Sequence, residues 1–264
     1  MNADFFHEHG YQIFENVIPL DLIDETKSIL EKDAHSSLMN ARSEIGCDED
    51  ELMVAIDEIA SGVAAGGLES LSKVSRNTLS GHISLEARLS LGLRKIPSHP
   101  AIQEVVRAIL KSEKIFMHMP PTARFVLPGN LHAGVPPHQD ISYNDHLSNF
   151  VVIWVPLVDI DDDCGGVTVY HGSGFEPELS VTHDANSFWQ TGVPVEGFIP
   201  IHCKMRRGSV LALNKWVVHA SMSNKSDHIR YSIDHRFFGE GDVSNKHFLD
   251  LQTNQIITPK IEVI

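Results

Sequence analysis

Cysteine is scarce, positive charge is outnumbered, and no apolar run is long. The 264 residues include only three cysteines, Cys47, Cys164 and Cys203, far apart and without a C-x-x-C pair. This excludes a disulfide framework and a cysteine-built zinc knot, and it fits reduced thiols in a cytoplasmic protein. Lys and Arg number 21 against 35 Asp and Glu, a formal net charge of −14. A duplex-binding surface needs a cationic footprint, so nucleic acid is not an expected partner. The most apolar stretch, residues 150–158, contains Pro156 and is too short to span a bilayer. The N-terminal residues are acidic where a signal peptide carries positive charge. A soluble cytoplasmic chain with no membrane partner is the expectation.

What is present suits a globular protein. Hydrophobic residues make up 42% of the chain, enough to bury a real core, and no repeat or low-complexity segment interrupts it. Residues 4–9 read as a short helix stopped by Gly10, residues 11–18 as a strand, and Pro19 as the opening of a helix. In that helix Leu22, Ile23, Thr26, Ile29 and Leu30 share one face. Helix is expected again at 51–60, for a turn or two at 68–74, and at 99–111, where Pro100 precedes an apolar stripe of Ile102, Val105, Val106, Ile109 and Leu110. Beyond residue 114 the texture changes to short β-rich runs at 115–119, 123–127, 149–157, 166–170, 209–213, 217–221 and 230–238, separated by turn residues. The pattern predicts a mainly β fold: one domain over 1–264, a helix-rich 1–114 packing on a β core at 115–240.

The chemistry concentrates at Pro136-Pro137-His138-Gln139-Asp140. On an extended backbone His138 and Asp140 leave the same face, and an imidazole beside a carboxylate is part of a two-His-one-carboxylate metal triad with open positions. A second histidine must come from elsewhere. His219 lies in an apolar β-type run, and Arg230 follows eleven residues later. That interval allows a strand, a turn and a return on the neighbouring strand, so that both side chains can face one interior. Arg230, Ser232, Asp234 and Arg236 alternate with Tyr231, Ile233, His235 and Phe237. The polar set could face solvent. Taken with His138, Asp140 and His219, it is expected to line a cavity holding an anion, because Arg grips carboxylates through paired charge-assisted hydrogen bonds. The run Asp161-Asp162-Asp163 lacks the spacing of a calcium loop and reads as a solvated turn.

Taken together, His138-Gln139-Asp140, the run from Trp154 to Ile160, the run from Gly165 to Gly174, His219-x-Ser221 and Arg230 resemble the phytanoyl-CoA dioxygenase family. The N-terminal His-Gly-Tyr-x-Ile followed by Ile-Pro is similar to that family's opening segment. The resemblance is dense from about residue 115 to 240 and absent from 36–98. It implies a double-stranded β-helix (jelly-roll) core and an enzyme using Fe(II), with 2-oxoglutarate and O2 as cosubstrates. His138, Asp140 and His219 would be the catalytic iron ligands. Arg230 would bind the distal carboxylate of 2-oxoglutarate, helped by Ser221, with Trp154 against the cosubstrate and Arg124 reaching it from the preceding strand. Pro137 departs from the aromatic or basic residue many relatives carry. Related halogenases replace the carboxylate by a small residue, so Asp140 implies a hydroxylase.

A competing reading is a jelly-roll metal- or ligand-binding protein that does not use 2-oxoglutarate, and Arg230 is the feature that separates the two. The substrate is expected to be a small metabolite or natural-product intermediate, since an acidic chain does not advertise a coenzyme A site. Asp234 and Arg236 are candidates to address it, residues 60–95 and 174–200 are candidate loops over it, and His146 and His171 are expected at the pocket border.

Overall fold

The computed structural model describes residues 1–62, 67–175, 177–183 and 191–259. Its helices are α1 (Asp4–His9), α2 (Leu20–Ile45), α3 (Leu52–Ala60), α4 (Lys73–Leu79), α5 (Leu85–Leu89), α6 (Lys95–Ser98) and α7 (Pro100–Leu110). Its strands are β1 (Tyr11–Phe14), β2 (Ile115–His118), β3 (Thr122–Val126), β4 (Val135–His138), β5 (Phe150–Pro156), β6 (Gly166–His171) and β7 (Thr182–His183). They continue with β8 (Thr191–Gly192), β9 (Ile199–His202), β10 (Val210–Asn214), β11 (His219–Met222), β12 (Arg230–Gly239), β13 (Phe248–Asp250) and β14 (Gln255–Ile257). The architecture is mainly antiparallel sheets with flanking helices.

Two sheets face each other. The larger runs β1-β10-β5-β12-β2-β13-β14, with β3 also pairing β12; the smaller runs β4-β11-β6-β9. On β12 the period-2 alternation is realised in full. Tyr231, Ile233 and Phe237 join the core between the large sheet and the helices, while Ser232, Asp234 and Arg236 face the small sheet. A second apolar cluster, including Val152, Trp154, Val167, Val169 and Leu211, closes the space between the sheets.

The helices form because their apolar stripes meet the outer face of the large sheet. In α7 Pro100 sits in the first turn, and Ile102, Val105, Val106, Ile109 and Leu110 are all buried. Burying one such aliphatic is worth about 1.5–3 kcal/mol, several times any difference in intrinsic helix propensity, so the stripe decides the fold here. Helix α2 buries Ile23, Thr26, Leu30, Ala34 and Ala41, and ends where Gly46 turns left-handed at φ 79°.

Two sequence expectations need correction. The strand at 11–18 stops at Phe14, because the chain leaves the sheet and Val17 and Ile18 donate to the Gly208 carbonyl instead. The sheet partner of that strand was not specified by the sequence: β1 pairs with β10 at the edge of the large sheet. Strand β12 is not a return beside β11: the two lie in different sheets, so the chain crosses from one to the other between His219 and Arg230.

Residues 36–98, which matched no pattern, acquire a place. Helix α4 packs on α2 and is capped by Ser72, with Glu44 of α2 accepting from Ser72 N at 2.5 Å and Ser75 Oγ at 2.5 Å. Beyond it Gly81 adopts φ +89° with its Cα against the sheet: a Cβ there would sit 2.2 Å from the Phe125 carbonyl oxygen. This close approach lets Phe125 N donate to Gly81 O and Ile83 N to Ala123 O, laying His82 beside Arg124.

Candidate active site

Strand β4 delivers His138 opposite His219 of β11, the two being direct cross-strand partners with ring centroids 4.3 Å apart. Gln139 continues the extended path (φ −114°, ψ 137°), so Asp140 emerges on the same side as His138. The Gln139 side chain goes the other way and is fully buried. Its Nε2 donates to Trp216 O at 2.7 Å, and its Oε1 accepts from Leu179 N at 2.8 Å. That pins the 177–179 segment against the site, and Val193 N donating to Pro137 O adds a second tie. The rest of the loop expected at 174–200 falls partly on 176 and 184–190, outside the described residues.

Donor atoms of His138, Asp140 and His219 all lie within 4.8 Å of one another, the sole such His/Cys/Asp/Glu group among the described residues. Both rings are turned the same way. His138 Nδ1 pairs with Pro136 O at 2.9 Å and His219 Nδ1 with Val217 O at 3.0 Å, which leaves the Nε2 atoms as the candidate ligand nitrogens, that of His219 lying 3.5 Å from Asp140 Oδ2. A backbone carbonyl holding one ring nitrogen is what orients an imidazole ligand. Asp140 is 1% exposed. Burial alone would raise its pKa, but the guanidinium charge of Arg236 beside it outweighs this and holds the carboxyl well below the usual range. Burial, with His219 alongside, pushes His138 down to about 4. At neutral pH the site thus offers a neutral imidazole and an ionised carboxylate, the protonation states a metal requires.

The cavity in front of these residues, about 280 Å³, is lined among others by His82, Arg124, Trp154, Ser221, Ser232 and Asp234. Arg230 lies behind Ser221. Its Nη2 donates to Ser221 Oγ at 2.7 Å and its Nη1 to Met222 O at 2.8 Å, while Nε is buried without a partner among the described residues. Only 2% of Arg230 is exposed, and no carboxylate forms an ion pair with it among the described residues. Gly165, at φ +84°, makes room: a Cβ would lie 2.9 Å from Nη1. A buried guanidinium satisfied only by neutral oxygens is costly unless an anion completes it, and burial accordingly lowers its pKa to about 10. Arg124, 6% exposed, anchors Nη2 on Ser80 O at 2.7 Å and Ala133 O at 2.6 Å.

A family model described as phytanoyl-CoA dioxygenase matches residues 6–232. The chain belongs to the phytanoyl-CoA dioxygenase family. Among solved structures it is similar to AviO1 from Streptomyces viridochromogenes Tue57, with TM-score 0.59 and 14% identity over 92% of this chain and 95% of that one. It is also similar to the non-heme alpha ketoglutarate dependent epimerase SnoN of nogalamycin biosynthesis, with TM-score 0.57 and 16% identity over 90% and 80%. The carbocyclase SnoK of the same pathway follows at TM-score 0.54 and 14% identity over 98% and 86%. At such identities the likeness is one of fold.

The family's cofactors are iron(II) and 2-oxoglutarate, and the residues here fit both. Two imidazole nitrogens and a carboxylate suit a first-row divalent metal, and Arg230 is a buried cation short of an anion. Every site residue expected from the sequence reaches this region: His138, Asp140, His219, Ser221, Trp154 and Arg124 line the cavity and Arg230 backs it. Arg236 also lines it, with its Nη2 donating to Asp140 Oδ1 at 2.7 Å.

The histidines expected at the border are elsewhere. His171 pairs with Tyr11 at 3.2 Å, and His146 stacks on His118. His82 takes that place instead, together with Tyr143, Asn144 and Lys246. These four were not legible, because each comes from a turn or loop whose position depends on distant packing. The Asp161 to Asp163 run is an exposed turn, with Asp161 accepting from the backbone of Asp163 and Cys164.

Proposed function

We propose that the chain is a non-haem Fe(II)- and 2-oxoglutarate-dependent dioxygenase that hydroxylates an unactivated C–H bond of a small metabolite or natural-product intermediate. In this reading the two facing sheets are the halves of a double-stranded β-helix. The observation that carries it is the pairing of a His-Asp-His cluster with a fully buried arginine that has no carboxylate of its own among the described residues. His138 Nε2, His219 Nε2 and Asp140 would hold the metal. Arg230 and Ser221 would bind the distal carboxylate of 2-oxoglutarate, with Trp154 walling the cosubstrate and Arg124 holding the far side of the cavity. Bound iron supplies the activation of O2 and the oxidising power; the protein supplies geometry and exclusion of water.

The residues divide the work in a physically consistent way. The carbonyls of Pro136 and Val217 keep both imidazoles in one tautomer, so neither ring has to reorient to bind. Burial of Trp154 and Val167 beside the triad keeps bulk water from the reacting face. Arg230 donates to neutral oxygens that a dianionic cosubstrate outcompetes, which explains why a charge is kept in an otherwise dry layer.

The test is an anaerobic titration of metal-free protein with Fe(II) and 2-oxoglutarate, followed by the visible charge-transfer band of the chelate. The band is expected in the wild type. In Arg230→Ala the 2-oxoglutarate affinity is expected to drop by a factor that corresponds to about 2–5 kcal/mol, the usual loss for one partner of a buried charge pair, with iron stoichiometry unchanged. Iron binding without any band would favour a metal-binding barrel that does not use 2-oxoglutarate. Succinate release with a product other than an alcohol would move the reaction away from hydroxylation.

A further inference from the structure

Each member of the triad is tethered by one outer contact, and the three tethers differ in kind. His138 and His219 hang from carbonyls two residues back in the chain, Pro136 O and Val217 O. Asp140 is instead held across the cavity by Arg236, which belongs to β12 in the other sheet. The two carboxylate oxygens are therefore not equivalent. Oδ1 accepts from Arg236 Nη2 at 2.7 Å, and Oδ2 faces His219 Nε2 at 3.5 Å. Arg236 is itself braced, with Nη1 donating to Thr122 Oγ1 at 3.2 Å. The backbone of Asp140 is fixed by Asn144 Nδ2 donating to its carbonyl at 3.1 Å. With backbone and Oδ1 both held, rotation about the last side-chain bond is the freedom that Arg236 removes.

We infer that Arg236 is a positioning residue that makes Asp140 a one-oxygen metal donor, reserving Oδ2 for the ion bound by His138 and His219. The inference rests on the metal-binding reading above. A carboxylate free to turn can chelate through both oxygens, and a second oxygen would occupy one of the coordination positions that the two-His-one-carboxylate arrangement leaves open. The guanidinium prevents this by presenting a directional, charge-assisted donor to one oxygen only. Because the tether reaches from the opposite sheet, it also links the alignment of the ligand to the spacing of the two sheets.

The test uses Co(II), whose visible ligand-field absorption reports coordination number, on the full chain without cosubstrate or turnover. R236L and R236Q are compared with R236K. Leu offers no donor, Gln is too short to reach, and Lys retains a charged donor. The Leu and Gln variants are expected to shift the Co(II) band and change its intensity, and to weaken Co(II) binding roughly 10- to 100-fold, the usual range for loss of an outer contact. Lys should restore most of the wild-type spectrum. A purely structural arginine would lower the melting temperature in all three variants and leave the spectrum unmoved. Should R236L fail to fold, R236Q carries the comparison. A folded neutral variant with a wild-type spectrum and affinity overturns the inference and leaves the metal site standing. Absence of any Co(II) band in the wild type overturns both.

Discussion

His235 provides the sharpest quantitative consequence of the fold. It sits on the helix-facing side of β12 between Ile233 and Phe237, is 0% exposed, and neither ring nitrogen finds a partner among the described residues. Burial pushes its pKa from the ordinary 6.5 down to about 3. Between those values the unfolded chain takes up a proton that the folded chain refuses, so stability is complete above pH 6.5 and is lost as pH falls through the window towards 3. The slope is about 1.4 kcal/mol per pH unit for one such group, and at pH 5 the accumulated loss is about 2 kcal/mol. Replacing the imidazole by an apolar side chain of similar size, His235→Leu, removes the loss. It also relieves two buried unpaired nitrogens, a gain of order 1–3 kcal/mol at any pH. The assay is urea unfolding of wild type and variant at pH 7 and pH 5, in chelator and at equal ionic strength, with free energies from linear extrapolation. The other titrating groups are common to both chains and cancel in the difference. The variant's advantage should be larger at pH 5 by about 2 kcal/mol. An advantage independent of pH would mean that the folded protein accepts the proton, and the reasoning from burial would be refuted.

Other consequences follow from single contacts. Gly81→Ala places a Cβ 2.2 Å from the Phe125 oxygen at φ +89°, whereas Gly129→Ala, at φ +75°, meets open space. Thermal melts should show the second costing about 1 kcal/mol and the first distinctly more; equal losses would remove the close approach from the account. Cys164 and Cys203 are buried, Cys203 with its thiol pushed up to about 12 by burial, and Cys47 is only half-buried. A thiol reagent on native protein should therefore label Cys47 first and reach all three only after denaturation. Gln139→Leu leaves Trp216 O and Leu179 N without their partner, so it should cost about 1–3 kcal/mol and speed proteolysis near residues 177–179. Unchanged cleavage would mean that other contacts hold that segment.

Much of the chain was legible because the signals were local. The β-period alternation on residues 230–237 told which side chains share a face, since on an extended backbone that parity is geometry and not packing. The same parity put His138 and Asp140 together, and the stripe of α7 announced its own buried face. What the sequence could not express was which strand lies beside which. The eleven-residue step from His219 to Arg230 admits either a hairpin or a crossing between sheets, and the folded chain takes the crossing. His82 illustrates the other limit. It reaches the cavity because Gly81 approaches Phe125 and α4 packs on α2, contacts between segments roughly thirty to forty-four residues apart in the chain. Arg236 reads in one dimension as a spare charge beside a pocket, and becomes the tether of Asp140 only when the two sheets face each other and bring its Nη2 within 2.7 Å of Oδ1. Local chemistry is thus written in the sequence, while partnership between side chains far apart is decided by the packing of the two sheets.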